Sequence, residues 1–140
     1  MMTLYSRAVD ARCHRVRLVL AEKALATRIV ETDLVRPPED LIDLNPYQTV
    51  PTLVDRDVVV YEPNIICEYI DERFPHPSMA STDPGARAHA RLALRRIEQE
   101  WYAVADAFRN NPAGTINPST LADLRVDDCA AGARQIAALV

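Results

Sequence analysis

The sequence has 140 residues, of which 49% are hydrophobic and 26% are charged, and this balance is typical of a globular protein. A net charge of -4 gives no general attraction for nucleic acid or for a membrane surface. The cysteines Cys13, Cys67 and Cys129 form no C-x-x-C motif, so we expect neither a redox dithiol nor a metal site.

The N-terminus lacks the pattern of a signal peptide, and no apolar run approaches the length of a membrane span. We therefore expect a cytoplasmic protein with reduced thiols. No feature of the sequence implies a cofactor.

The first half of the chain is predicted to follow the order β-α-β-α-β-β-α. Strand signals occur at residues 3–6, 28–33, 50–54 and 58–61, and helix signals at residues 14–26, 39–44 and 63–74. Pro63 suits the first turn of the last of these helices, and Pro75 ends it.

Pro51 lies where a β-ladder would need an N–H donor. We therefore expect an edge strand that is entered through a tight turn, with a cis bond between Val50 and Pro51. Unpaired backbone groups before such a proline can bind an extended, peptide-like ligand.

The second half begins with a predicted linker at residues 75–84, and a long helix is predicted at residues 85–109. Its apolar stripe is predicted to consist of Ile97, Trp101, Val104, Ala105 and Phe108. Residues 110–118 break this helix, and residues 119–140 are weakly helical. The predicted domains are therefore residues 1–74 and 85–140.

Several segments carry a resemblance to a known family. They are Arg15–Lys23, Asp40–Pro46, Val50–Arg56, Glu68–Pro77 and Arg96–Tyr102. They resemble the glutathione S-transferase-like superfamily, and the Glu-Arg-Phe-Pro-His-Pro run ending at Pro77 resembles its stringent starvation protein A branch. The resemblance covers residues 2–109 and implies an α/β, thioredoxin-like N-terminal domain followed by part of an all-α C-terminal domain.

Members of this branch are bacterial proteins that associate with RNA polymerase in starvation responses and transcription. The resemblance therefore implies RNA polymerase holoenzyme as the partner and Pro75, His76 and Pro77 as the contact, with Arg73 beside it. Family members pair as dimers, which would bury the apolar stripe of the long helix, so we expect a homodimer or an aggregation-prone monomer. The net charge gives no reason to expect direct contact with nucleic acid or a membrane.

A transferase of this superfamily holds glutathione as a thiolate near the start of the first helix. Asp10 occupies the position of the serine or cysteine donor, and its carboxylate would repel a thiolate. Tyr5 and Cys13 are the remaining candidates for a thiol partner. Cys13 lies near the helix N-terminus, where a thiol pKa can fall, but a small residue of the first turn is the simpler interpretation.

The family's carboxylate anchor, Glu-Ser, is replaced here by Glu62-Pro63, which lacks a hydroxyl and an N–H. We therefore interpret Val50, Pro51 and Glu62 as a vestigial glutathione site and Pro51 as structural. Cys67 is expected in the core, and His89 is expected to face solvent.

Three hypotheses remain at this point. The first is a non-catalytic, RNA polymerase-associated regulator, the second a glutathione-dependent transferase, and the third a truncated, non-functional member of the family. The resemblance is expected to end after Asn110.

Overall fold

The computed structural model describes residues 1–110, which belong to two compact units, Met1–Ala80 and a second unit that begins at Ser81. The division falls inside the segment predicted as a linker. The predictions for residues 111–140, including Cys129, lie outside the described residues. Within the described part of the chain, no helix has the length and apolar character needed to cross a membrane.

Residues 1–80 form a mixed four-stranded sheet with three helices, in the predicted element order. The strands are Met2–Ser6 (β1), Thr27–Glu31 (β2), Thr52–Asp55 (β3) and Val58–Tyr61 (β4), and the helices are Ala11–Glu22 (α1), Glu39–Leu44 (α2) and Pro63–Arg73 (α3). In the sheet order β2-β1-β3-β4, β1 runs parallel to β2 and antiparallel to β3. This is a thioredoxin-like domain, and the predicted fold class is confirmed.

One hydrophobic core joins the two central strands to α1 and α3. Its buried members are Met2, Leu4, Val16, Leu20, Leu53, Ile66 and Ile70. Full burial of each such side chain contributes about 1.5–3 kcal/mol. Cys67 packs against this cluster in a partly buried position, as expected.

The bond between Val50 and Pro51 is cis, as predicted, but the prediction of an edge strand is wrong. β3 begins at Thr52 and pairs with β1 on one side and β4 on the other. Pro51 precedes the first paired residue, so its missing N–H is not required by the ladder. The edges of this sheet are β2 and β4.

Helix α1 begins at Ala11 rather than His14 and ends at Glu22 rather than Ala26. Asp10 caps its first turn, which starts the helix three residues before the first residue predicted as helical. Ala24 takes a left-handed conformation with φ 52°, which ends the helical path early.

The second unit contains helix α4 (Pro84–Arg96), a π-helical turn (Ile97–Trp101) and helix α5 (Tyr102–Asn110). The extra residue of a π turn rotates the following residues by about 100° relative to an unbroken α-helix. The predicted stripe is therefore only partly correct. Tyr102, which it omits, is buried, whereas Ala105 is exposed and the side chain of Phe108 lies outside what is described. His89 is exposed, as expected.

Candidate functional site

Asp10, which the resemblance aligns with the thiol-binding residue of a transferase, is the N-cap of α1. Its Oδ1 atom accepts hydrogen bonds from the backbone N–H groups of Arg12, at 2.9 Å, and Cys13, at 3.1 Å. These are the orphan donors of the α1 N-terminus, where an anion would otherwise bind. A buried carboxylate already takes that place, and it repels a second anion.

Cys13 is fully buried in the first turn of α1. Desolvation raises the pKa of its thiol above the ordinary 9.0, and the Asp10 carboxylate raises it further. The opposing influences, a backbone hydrogen bond from Arg7 first among them, do not reverse this direction. Its position near the helix N-terminus therefore does not lower the pKa of Cys13, and the residue is a neutral thiol at pH 7.

The strand register gathers the other vestigial residues at one end of the sheet. Thr52 pairs with both Tyr5 and Tyr61, which sets Pro51 and Glu62 beside the end of β1. Tyr5 is buried, so its ring forms part of the domain's interior. The sheet therefore brings Tyr5, Pro51 and Glu62 to the same end of the domain as the α1 N-terminus.

Glu62 occupies a strained position at that end. Its φ is 74°, a region that residues other than glycine seldom adopt, and its side chain makes no capping hydrogen bond to α3. The buried Pro63 follows as the first residue of the helix and offers no N–H. Val50, on the other side of Pro51, is only partly exposed.

Pro75, His76 and Pro77 lie elsewhere, directly after the C-terminal end of α3, and all three are exposed. They belong to residues 74–80, which we call the proline loop. The bond between His76 and Pro77 is cis. Because α3 has 11 residues, it separates this loop from the vestigial end by about 16 Å.

The buried ammonium group of Lys23 binds the backbone of the proline loop from the protein interior. The Nζ atom of Lys23 donates to the carbonyl oxygens of Phe74 and Pro77, each at 2.6 Å. It also lies 2.7 Å from Oδ1 of Asp71, and the Lys23 side chain is 0% exposed. Lys23 directly follows α1, so the ends of two helices and the loop meet at this single atom.

Asp71 fastens the far side of the same loop. Its Oδ1 and Oδ2 atoms accept from the backbone N–H groups of Met79, at 2.8 Å, and Ala80, at 3.1 Å. Desolvation raises the pKa of Asp71, but the hydrogen bonds from Lys23, Met79 and Ala80 outweigh it and leave the pKa below its ordinary 3.8. The carboxylate is therefore ionised at neutral pH and pairs with the ammonium.

Arg73 lies at the edge of the loop. Its guanidinium stacks over the Phe74 ring, 5.2 Å from the ring centroid, and its Nε atom is 3.9 Å from Oδ2 of Asp55. These contacts hold the Arg73 guanidinium next to the start of the exposed proline loop.

The sequence reasoning missed Lys23 and Asp71. A usable signal was present, because Lys23 is the only lysine among the 140 residues, whereas the other basic residues are all arginine. Its partners are distant in sequence, so local patterns did not reveal the site. Among the described residues, no group of three or more potential ligands could hold a metal ion.

The matching family model is the glutathione S-transferase N-terminal domain, which matches residues 11–73. The stringent starvation protein A homologue of Haemophilus influenzae is 55% identical over 101 residues, covering 72% of this chain and 48% of the relative. The homologue of Haemophilus ducreyi is 42% identical over 131 residues, covering 94% of this chain and 61% of the relative.

The chain spans about half the length of the curated relatives it matches. The Haemophilus ducreyi alignment extends past Asn110, so the expectation that the resemblance ends there is wrong. Among solved structures, rice GST1 in complex with glutathione matches with a TM-score of 0.69 and 27% identity, covering 73% of this chain and 48% of that one.

Proposed function

Because this chain belongs to the stringent starvation protein A branch of the glutathione S-transferase-like superfamily, we propose that it is a non-catalytic, transcription-associated binding protein. Its partner is RNA polymerase holoenzyme, and the proline loop makes the contact. The family resemblance supports the partner and the role in starvation responses.

The exposed, internally fastened proline loop is the observation that carries this proposal. Pro75 and Pro77 each fix one backbone torsion, and His76 is exposed between them. Its carbonyl groups at Phe74 and Pro77 are already bonded inward, which leaves the side chains to face outward. A loop that is ordered before binding loses little conformational entropy on docking, which favours partner recognition.

The altered thiol site supports a non-catalytic role. Asp10 fills the anion position at the α1 N-terminus, and Pro63 lacks the donors of a carboxylate anchor. Burial keeps the Cys13 thiol protonated by raising its pKa. A glutathione-dependent transferase with Tyr5 or Cys13 as thiol partner is therefore the weaker alternative.

Replacing Pro75, His76 and Pro77 together by alanine tests the contact. The triple variant should keep the far-UV circular dichroism of the parent protein, because these residues lie outside the helices and strands. It should lose retention of purified RNA polymerase holoenzyme in a pull-down. Retention at the parent level would place the contact elsewhere.

His76→Ala alone separates the imidazole from the prolines. We expect it to lose part of the binding, about 1–2 kcal/mol if the ring lies at the centre of the interface. His14→Ala is the matched control, because His14 is another exposed histidine of the same unit. Equal losses for the two variants would argue against a specific role of His76.

The proposal includes a cytoplasmic homodimer without direct contact to nucleic acid, and sedimentation equilibrium of the intact protein tests the dimer. The third hypothesis, a truncated and non-functional family member, is tested by the intact mass of the protein in its source cell. If the parent chain fails to retain the holoenzyme, that hypothesis becomes the better one.

A further inference from the structure

We infer that Lys23 and Asp71 are positioning residues that hold the proline loop in its binding shape before any partner arrives. This inference rests on the proposed function, because it identifies what prepares the same contact surface. Neither residue needs to touch the partner, since the Lys23 side chain is 0% exposed and that of Asp71 is 15% exposed.

The chemistry of the Lys23 ammonium group matches its surroundings. An ammonium has three N–H donors. Here it meets the carbonyl oxygens of Phe74 and Pro77 and the carboxylate of Asp71. A buried cation is costly unless such partners compensate for the water it loses. The planar guanidinium of arginine carries five donors in a rigid fork and cannot match three acceptors around one point.

The four loop contacts are distributed along the whole segment. Lys23 binds the loop at Phe74 and Pro77, whereas Asp71 binds it at Met79 and Ala80. His76 lies between the two carbonyl groups that Lys23 holds. The exposed residues therefore keep a defined backbone although their own side chains do not enter the core.

Loss of the Lys23–Asp71 pair should weaken partner binding without changing any contact residue. A loosened loop must be ordered at the moment of docking, and ordering the backbone of a few residues is costly. We expect the affinity for RNA polymerase holoenzyme to fall by at least about tenfold in Asp71→Asn. Glu72→Gln is the matched control, because it removes the same charge from an exposed position one residue away.

Amine acylation reads the state of the loop independently of the polymerase. A protein made of these 140 residues carries two reactive amines, the α-amino group of Met1 and the ε-amino group of Lys23. Treatment with an N-hydroxysuccinimide acetate, followed by peptide mass mapping, gives the rate at each amine. With each rate normalised to that in urea, we expect Lys23 to be strongly protected in the parent protein and in Glu72→Gln.

In Asp71→Asn, acylation of Lys23 should accelerate by at least about tenfold while that of Met1 stays unchanged, because one of the three partners of the ammonium loses its charge.

Lys23→Met tests the same loop by hydrogen exchange. It should lower the protection of the Met79 and Ala80 amides, even though their acceptor Asp71 is still present.

Three results would overturn the inference. In the first, Lys23 of the folded parent protein reacts as fast as it does in urea. In the second, Asp71→Asn opens the loop but binds the holoenzyme like Glu72→Gln. In the third, the triple alanine variant of Pro75, His76 and Pro77 retains the holoenzyme, which refutes the proposed contact itself even if Lys23 is protected.

Discussion

Asp10 stabilises the fold at a position where a transferase would carry out chemistry. Its Oδ1 atom satisfies two orphan N–H groups of α1, and the residue has the extended backbone of an N-cap, with φ -92° and ψ 125°. A serine hydroxyl can also cap a helix, but it can donate to a thiolate as well. The carboxylate of Asp10 can cap the helix but, when ionised, cannot donate to a thiolate. Asp10 therefore stabilises the fold without supporting catalysis.

Asp10→Ala should lower the free energy of unfolding by about 1 kcal/mol, because the cap is lost from the helix that covers the core. Asp10→Ser should remain within a few tenths of a kcal/mol of the parent protein, since both residues are good caps. Urea denaturation followed by circular dichroism measures both values. The exposed Asp43→Ala is the control for loss of charge, and an effect on it as large as that of Asp10→Ala would contradict a capping role.

At the scale of elements, Asn45 organises the connection between α2 and β3. Its Nδ2 atom donates to the Thr49 carbonyl oxygen at 3.2 Å and to the Thr52 hydroxyl oxygen at 3.0 Å. Its Oδ1 atom accepts from the Tyr47 N–H at 2.9 Å. The Asn45 side chain is fully buried, so these bonds satisfy polar groups that water does not reach.

Asn45→Asp should destabilise the domain by about 1–3 kcal/mol or more at neutral pH, because an acceptor then faces the Thr49 carbonyl in a buried site. Asn64→Asp is the matched control. The Asn64 Oδ1 atom accepts from the Arg15 guanidinium, and a carboxylate keeps that role. Thermal unfolding of both variants makes the comparison, and equal melting temperatures would show that the buried amide donors are not needed.

Local signals predicted the elements with simple boundaries. The bounds of α2 and β4 agree with the sequence pattern, because Pro38 and the short apolar run after Asp57 mark them directly. The start of α1 was missed because Asp10 was considered only for its charge and not as a cap. The inner position of β3 was missed because pairing on both sides depends on strand order, which no local pattern encodes.

The features of the candidate site were likewise predictable only where their sequence signal is local. The proline run after α3 and the loss of serine before it are visible in the sequence. The Lys23 contacts could not be predicted, because their acceptors lie 51 and 54 positions away in the sequence. Lysine is also usually exposed, so its sequence gives no sign that this one is buried. The π turn in the second unit was also hidden, because its effect is a rotation of the helix face rather than a change of composition.

At the scale of the whole first unit, α1 and α3 separate two ends with different properties. The end near Asp10 and Glu62 is built around backbone caps and turns, and its thiol is neutral. The end near Lys23 presents an exposed loop that a buried ion pair fastens. The proposed function uses only the end near Lys23. A non-catalytic role further implies that the end near Asp10 and Glu62 does not bind glutathione.

We expect that the protein is not retained on glutathione-agarose and shows no sub-millimolar affinity for glutathione by calorimetry. Asp10 repels the thiolate, and Pro63 cannot donate to the carboxylate. The rice transferase that was solved with glutathione is the positive control. An Asp10→Ser, Pro63→Ser double variant restores a hydroxyl at both positions and should bind glutathione more tightly than the parent. If the parent is retained as well as the rice enzyme, these two residues do not close the site, and the transferase alternative gains the advantage.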